Sequence, residues 1–185
     1  MLTSTLSVGL IILPTSRSAF KAQPNPAHHA LAWFSNPQNR LSVAPNSESF
    51  NIITQNVDGL SYKAARIASD PDTAEKCIIE MHGAIRDTTC TSCGHRETNL
   101  SSPICPALVG TEARLLKPDE NEEKIPAELL PHCKQPGCGG LLRPAVVWFG
   151  EAIDLLDPIE VLVQQVDMCL VVGTSSTASI VLWPY

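Results

Sequence analysis

The sequence is poor in aromatic residues and has no cluster of basic ones, and both features narrow the range of functions. Aromatic residues make up 5% of the 185 residues, too few for the stacking platforms that bind single-stranded nucleic acid. The formal net charge is −6, and no run of Lys or Arg supplies a surface for phosphates. We therefore expect no direct contact with nucleic acid.

Long hydrophobic runs are also missing. The apolar stretch at residues 8–13 has no positive charge before it, so it makes a poor signal peptide, and it is too short to span a membrane. No acidic residue precedes Glu48, which is a weak feature of mitochondrial transit segments. We expect no membrane contact and an intracellular location, with mitochondrion, cytoplasm and nucleus all left open.

The chain has seven cysteines, and their spacing favours metal binding over disulfides. Two close pairs, C-x2-C and C-x4-C, have the spacing of two metal-binding knuckles. The four candidate ligands are Cys90, Cys93, Cys133 and Cys138. Four thiolates form a closed tetrahedral site, so the sequence predicts a structural zinc ion in a reducing compartment.

Short apolar segments alternate with segments of helical pattern, which is typical of an α/β sheet. Buried strands are predicted at residues 50–53, 77–81 and 168–172, and helices at residues 27–34, 60–68 and 157–166. The three predicted strands end in TQN, HG and GTSS respectively. Because ligand crevices lie outside the carboxyl ends of parallel strands, we expect these polar tips to share one crevice.

Six motifs, taken in order, resemble those of the sirtuin family. They are TQNVDGL, EMHGAI, CTSCG, the second cysteine pair, GGLLRPAVVWFGE and CLVVGTSS. The resemblance covers residues 21–176. The tryptophan in VVWFGE and the segment SPICPAL are most similar to class III sirtuins, which remove succinyl, malonyl and glutaryl groups.

The resemblance implies an NAD-dependent protein lysine deacylase, of deacetylase or desuccinylase type. Such an enzyme transfers the acyl group from lysine to ADP-ribose and releases nicotinamide. The implied fold is a Rossmann-like parallel sheet, here incomplete, with a small zinc-ribbon module inserted at about residues 86–145. The implied cofactors are structural Zn²⁺ and the co-substrate NAD⁺, and the implied partners are acyl-lysine proteins or peptides.

The resemblance also assigns site residues. His82 matches the catalytic histidine, and an imidazole with a pKa near ~6.5 can accept a proton from a ribose hydroxyl at neutral pH. The residues implied to bind NAD are Gln55, Asn56, Val57, Asp58, Gly173, Thr174 and Ser175. The residues implied to bind substrate, as a strand to which the peptide adds, are Val147, Trp148, Phe149, Gly150 and Glu151.

The chain departs from the family pattern at both ends. Residues 1–20 match nothing in the family, and the glycine-rich loop of the GAGxSxxSGIPDFR kind is absent. We therefore expect residues 21–185 to form a partial deacylase domain, truncated at both ends. A catalytically inactive fragment or splice form that acts only as a zinc-containing binding module is the alternative, and a zinc ribbon unrelated to NAD is a third hypothesis.

The preferred acyl group stays open at this point. Class III sirtuins hold an acidic acyl group with a Tyr-x-x-Arg pair, which would fall just before Lys21. Arg17 is the one arginine there, and no tyrosine precedes it. A guanidinium grips a carboxylate through two bonds, so the sequence does not supply the physical cause of a preference for succinyl.

Overall fold

The computed structural model describes residues 19–111 and 125–174. The chain divides into two units, Met1–Ile153 and Asp154–Tyr185, and each is described by itself. The α-helices are α1 (Pro26–Ser35), α2 (Pro37–Val43), α3 (Leu60–Arg66), α4 (Pro71–Lys76) and α5 (Leu156–Val163). The strands are β1 (Ile52–Thr54), β2 (Ile78–Glu80), β3 (Gly83–Cys90), β4 (Arg96–Thr98) and β5 (Leu142–Val146).

Helix α1 begins where the sequence predicts. The Asn25 side chain accepts a hydrogen bond from the His28 backbone N–H, and Pro26 occupies the first turn, where its missing N–H costs nothing. Helix α2 was not predicted. Asn36 caps it by accepting from the N–H groups of Gln38 and Asn39, so two short helices follow each other.

Strands β1 and β2 form a parallel pair in the register Ile52↔Ile78 to Thr54↔Glu80. Helices α3 and α4 connect them and bury small side chains against the sheet. The core here contains Ala65, Ala74 and Ile78, with Ile52, Tyr62 and Ala68 packed against it. This is the predicted α/β arrangement, and both strands end on the same side because they run in parallel.

Strands β3, β4 and β5 form a separate antiparallel sheet in the order β4-β3-β5. Gly83 pairs with Val146 at one end of β3, and Cys90 pairs with Leu142 at the other. The first of these pairs lies immediately after His82, and the second contains a predicted zinc ligand. The strand β3 therefore connects the two parts of the candidate site.

The second unit corrects one predicted element. Residues 168–172 were expected to form a buried strand, but they have no strand assignment, and Met168 and Leu170 are 85% and 83% exposed. Hydrophobicity gave the prediction, whereas a strand also requires a hydrogen-bonding neighbour along its length. Across the described ranges, no helix is long and apolar enough to cross a membrane.

Candidate active site and metal centre

Four sulfur atoms lie together at one end of the antiparallel sheet. The ligand atoms of Cys90, Cys93, Cys133 and Cys138 are all within 4.8 Å of one another. The Cys90 and Cys138 sulfurs are 3.5 Å apart, and the Cys93 and Cys133 sulfurs are 3.8 Å apart. Thiolates at ~2.3 Å from a zinc ion would be about 3.8 Å from each other in a tetrahedron, so the four cysteines fit this ion.

The backbone around the cluster is also suited to thiolates. The backbone N–H groups of Ser92 and Cys93 approach the Cys90 sulfur at 3.4 and 3.5 Å. These bonds, first that of Cys93 and then that of Ser92, lower the pKa of the Cys90 thiol to about 6. A Cβ atom at Gly140 would lie 2.8 Å from the same sulfur, so only glycine allows the second knuckle to approach this closely.

All four positions of a tetrahedral site are therefore filled by protein sulfur. A zinc ion bound here would have no position for water and would stabilise structure instead of activating a nucleophile. The spacing prediction and the geometry agree on all four cysteines.

His82 lies in the two-residue connection between β2 and β3. Its Nδ1 atom is 3.1 Å from the carbonyl oxygen of Gln55, which follows the end of β1. A carbonyl only accepts, so Nδ1 donates, and in the neutral ring the lone pair is on Nε2. The Val147 N–H donates to the His82 carbonyl at 2.9 Å, which fixes the backbone on the other side.

The segment after β1 is held at several points. The Met81 N–H donates to the carbonyl of Thr54, and the Ile85 N–H donates to that of Val57. The Asp58 carboxylate accepts from the Leu60 N–H at 2.9 Å at the start of α3. Gln55 and Asn56 are exposed between these anchors, so their side chains are accessible to a ligand next to His82.

An ion pair that the sequence reasoning missed lies beside this loop. Arg86 donates to both carboxylate oxygens of Glu80, at 2.9 and 2.6 Å, and its guanidinium carbon is 4.8 Å from the centre of the Tyr62 ring. In the sequence, the ion pair is indicated only by the opposite charges of Glu80 and Arg86 on either side of the His-Gly pair. These two residues belong to no periodic pattern that would predict their contact.

Residues 147–151 do not form the strand that the resemblance implied. Strand β5 ends at Val146, and the chain then turns back on itself. The Glu151 carboxylate accepts from the Trp148 N–H at 3.1 Å and from Arg143 at 3.2 Å. Because these bonds close a turn, only Val147 continues the pairing, and Phe149 is fully exposed at the tip.

The remaining predicted residues belong to the second unit. Gly173 and Thr174 lie in an exposed stretch without regular structure. Ser175 lies outside the described residues. The ends of β1 and β2 lie next to each other, as the contact between His82 and Gln55 shows, whereas the third predicted strand is not formed. The shared crevice stays a prediction.

Comparisons with known proteins give the family. The Sir2 family model matches residues 12–179, a range wider on both sides than the motifs indicated. The NAD-dependent protein deacylase sirtuin-5, mitochondrial, of Danio rerio is 44% identical over 155 residues, which are 83% of this chain and 46% of that protein. A NAD-dependent protein deacylase of Daphnia pulex is 40% identical over 155 residues, 83% of this chain and 51% of its own length.

A solved structure supports the same assignment. A mutant Sir2 homologue in complex with ADP-ribose has a TM-score of 0.51 and 32% identity, and the match covers 85% of this chain and 45% of that one. The chain thus spans about half the length of the relatives it matches. Because the family model matches most of its residues, this chain belongs to the Sir2 family.

Proposed function

We propose that this chain carries the histidine loop and zinc module of an NAD-dependent protein lysine deacylase. The single observation that supports this most strongly is the contact between His82 Nδ1 and the Gln55 carbonyl. It joins the EMHG and TQNVD motifs of a Sir2-family chain and leaves Nε2 as the free acceptor. Relatives named NAD-dependent protein deacylase support the same reaction.

In this proposal His82 is the general base. NAD, when bound, supplies the ribose that receives the acyl group as nicotinamide leaves. Gln55, Asn56 and Asp58 offer amide and carboxylate groups to the carboxamide and the ribose hydroxyls, and Nε2 of His82 takes a hydroxyl proton. The backbone bonds at Met81, Ile85 and Leu60 keep these groups in place before the ligand arrives.

The turn at residues 147–151 is proposed to meet the acyl-lysine substrate. It begins with Val147, which pairs with His82, and it presents the exposed ring of Phe149. Zinc is proposed to stabilise the sheet that supports this turn and β3.

Acidic acyl groups and a mitochondrial location are the finer parts of the proposal. The support is the name of the Danio rerio relative, a mitochondrial sirtuin-5, together with the class III features of VVWFGE. Parallel assays with succinyl-lysine and acetyl-lysine peptides of one sequence decide the first point. An equal or lower rate with the succinyl peptide would contradict it.

The experiment is a calorimetric titration of NAD into zinc-loaded protein, with nicotinamide release measured on the same sample after an acyl-lysine peptide is added. We expect saturable binding and release that requires the peptide. His82→Asn should reduce release about 10²- to 10⁴-fold. His29→Asn, on the exposed face of α1, is the matched control and should act as the unchanged protein does. Absence of NAD binding by folded, zinc-containing protein would favour the binding-module alternative.

A further inference from the structure

The turn that carries His82 is bracketed by two opposite charges. Glu80 is the last residue of β2, and Arg86 is the fourth residue of β3. The guanidinium donates through both terminal nitrogens, Nη1 to Oε1 at 2.9 Å and Nη2 to Oε2 at 2.6 Å. These two hydrogen bonds therefore link the last residue of β2 to the fourth residue of β3, across the turn that contains His82.

The pair is largely removed from water. The Glu80 side chain is 9% exposed and that of Arg86 is 26% exposed. The hydrogen bond to Glu80 raises the pKa of Arg86 further, so the arginine stays charged. A buried pair of this kind is intolerant of losing one partner, because the other charge is then left without compensation.

The same guanidinium also contacts the other half of the candidate site. A Cβ atom at Gly59 would lie 3.1 Å from Arg86 Nη1, and the Tyr62 ring lies against its face at 4.8 Å. Gly59 follows Asp58 directly and is the N-cap residue of α3, so Arg86 lies against the residue that comes directly after the loop at residues 55–58. The Arg86 side chain thus binds the residue before the His82 turn and lies against the residue that follows the loop at 55–58.

We propose that Arg86, held by Glu80, is a positioning residue that keeps the His82 turn and the loop at residues 55–58 in register. Its effect on catalysis rests on the proposed function, whereas its effect on the imidazole does not. With the register kept, the Gln55 carbonyl selects the tautomer that has its proton on Nδ1. Once the pair is broken, the two segments separate, and both tautomers become available to the ring.

The test uses the zinc-loaded 185-residue chain with ¹⁵N-labelled histidine. Nitrogen chemical shifts distinguish protonated from unprotonated ring nitrogens, and the His82→Asn variant assigns the His82 signals. We expect the neutral imidazole of His82 in the original protein to have its proton on Nδ1. Glu80→Gln and Arg86→Gln should shift His82 towards a mixture of tautomers. Arg86→Lys keeps the positive charge but loses the planar group that donates two hydrogen bonds to Glu80. It should therefore change the nitrogen shifts of His82 less than Arg86→Gln does.

The control is Glu75→Gln. It breaks the ion pair between Arg66 and Glu75, which has a single 3.0 Å contact and side chains 69% and 36% exposed. This change should leave the His82 spectrum as it is. Zinc content and the far-ultraviolet circular dichroism spectrum establish that each variant is folded. Arg86→Lys, the mildest change, decides the question if either glutamine variant does not fold.

Kinetics provide a second measurement. A displaced loop should lower kcat about tenfold to a hundredfold and raise the KM for NAD, while the KM for the peptide stays within about twofold. Unchanged His82 shifts in folded Arg86→Gln and Arg86→Lys would overturn the positioning role. An inactive original protein with an intact tautomer effect would contradict the proposed function and leave the positioning role supported.

Discussion

Gly83 allows the His82 turn and β5 to approach each other. Its φ angle is +75°, a conformation that side chains rarely adopt, and a Cβ atom here would collide with the carbonyl oxygen of Ala145. The neighbouring carbonyl of His82 accepts from Val147. A larger residue at position 83 would therefore push β5 away from the candidate base.

Gly83→Ala should destabilise the protein and disturb the site together. The backbone strain alone costs about 1–2 kcal/mol, and the collision with Ala145 adds to it. Gly110→Ala is the matched control, since Gly110 has a φ of +77° and open space around its Cβ position. Urea unfolding followed by fluorescence should show the larger loss for Gly83→Ala. Equal losses in the two variants would contradict the collision.

At the scale of elements, we expect the stability of the antiparallel sheet and its cysteine cluster to depend on metal. Few apolar residues near the cluster are buried in the described part of the chain. A metal ion held by the four sulfurs, at the carboxyl end of β3 and in the second knuckle, would therefore supply part of the stabilisation. In small modules of this kind, the free energy of metal binding is folding free energy.

Removal of one ligand should abolish zinc binding. We expect about one zinc ion per chain in the original protein, and much less in Cys90→Ser, with a lower melting temperature. Cys105→Ser is the control, because Cys105 lies outside the cluster, with its sulfur 3.5 Å from the Leu129 carbonyl. Metal analysis and thermal melts make the comparison. Equal zinc in Cys90→Ser would contradict the assigned ligands.

The elements also show how much could be predicted. The spacing of the cysteines predicted the four zinc ligands, because the geometry of a cysteine knuckle is set by residues close in sequence. Apolar runs predicted β1 and β2. Helix α2 was missed because PQNRLSV has no apolar face, although Asn36 before Pro37 was a usable start signal. The segment at 168–172 was predicted wrongly, since its hydrophobicity says nothing about its neighbours. The Glu80–Arg86 pair needs the turn between the strands, which no sequence pattern specifies.

Across the whole molecule, exposed apolar surface has consequences for solubility. Four residues in the segment 168–172 are more than two-thirds exposed, namely Met168, Leu170, Val171 and Val172. An extended apolar segment without a paired neighbour is a site for association between chains.

A single charge should reduce this association. We expect Val171→Lys to lower the apparent mass in light scattering at concentrations where the original protein self-associates. Val161→Lys, on α5 and 55% exposed, makes the same change outside the segment and should have little effect. A monodisperse original protein, or equal effects of both substitutions, would contradict the role of this segment.

The proposed function depends on acyl transfer to ADP-ribose. The most direct measurement is mass spectrometry of the products after the zinc-loaded chain is incubated with NAD and an acyl-lysine peptide. We predict deacylated peptide, nicotinamide and acylated ADP-ribose in equal amounts, and none of these products with His82→Asn. Intact peptide and intact NAD in the presence of folded, zinc-containing protein would contradict it.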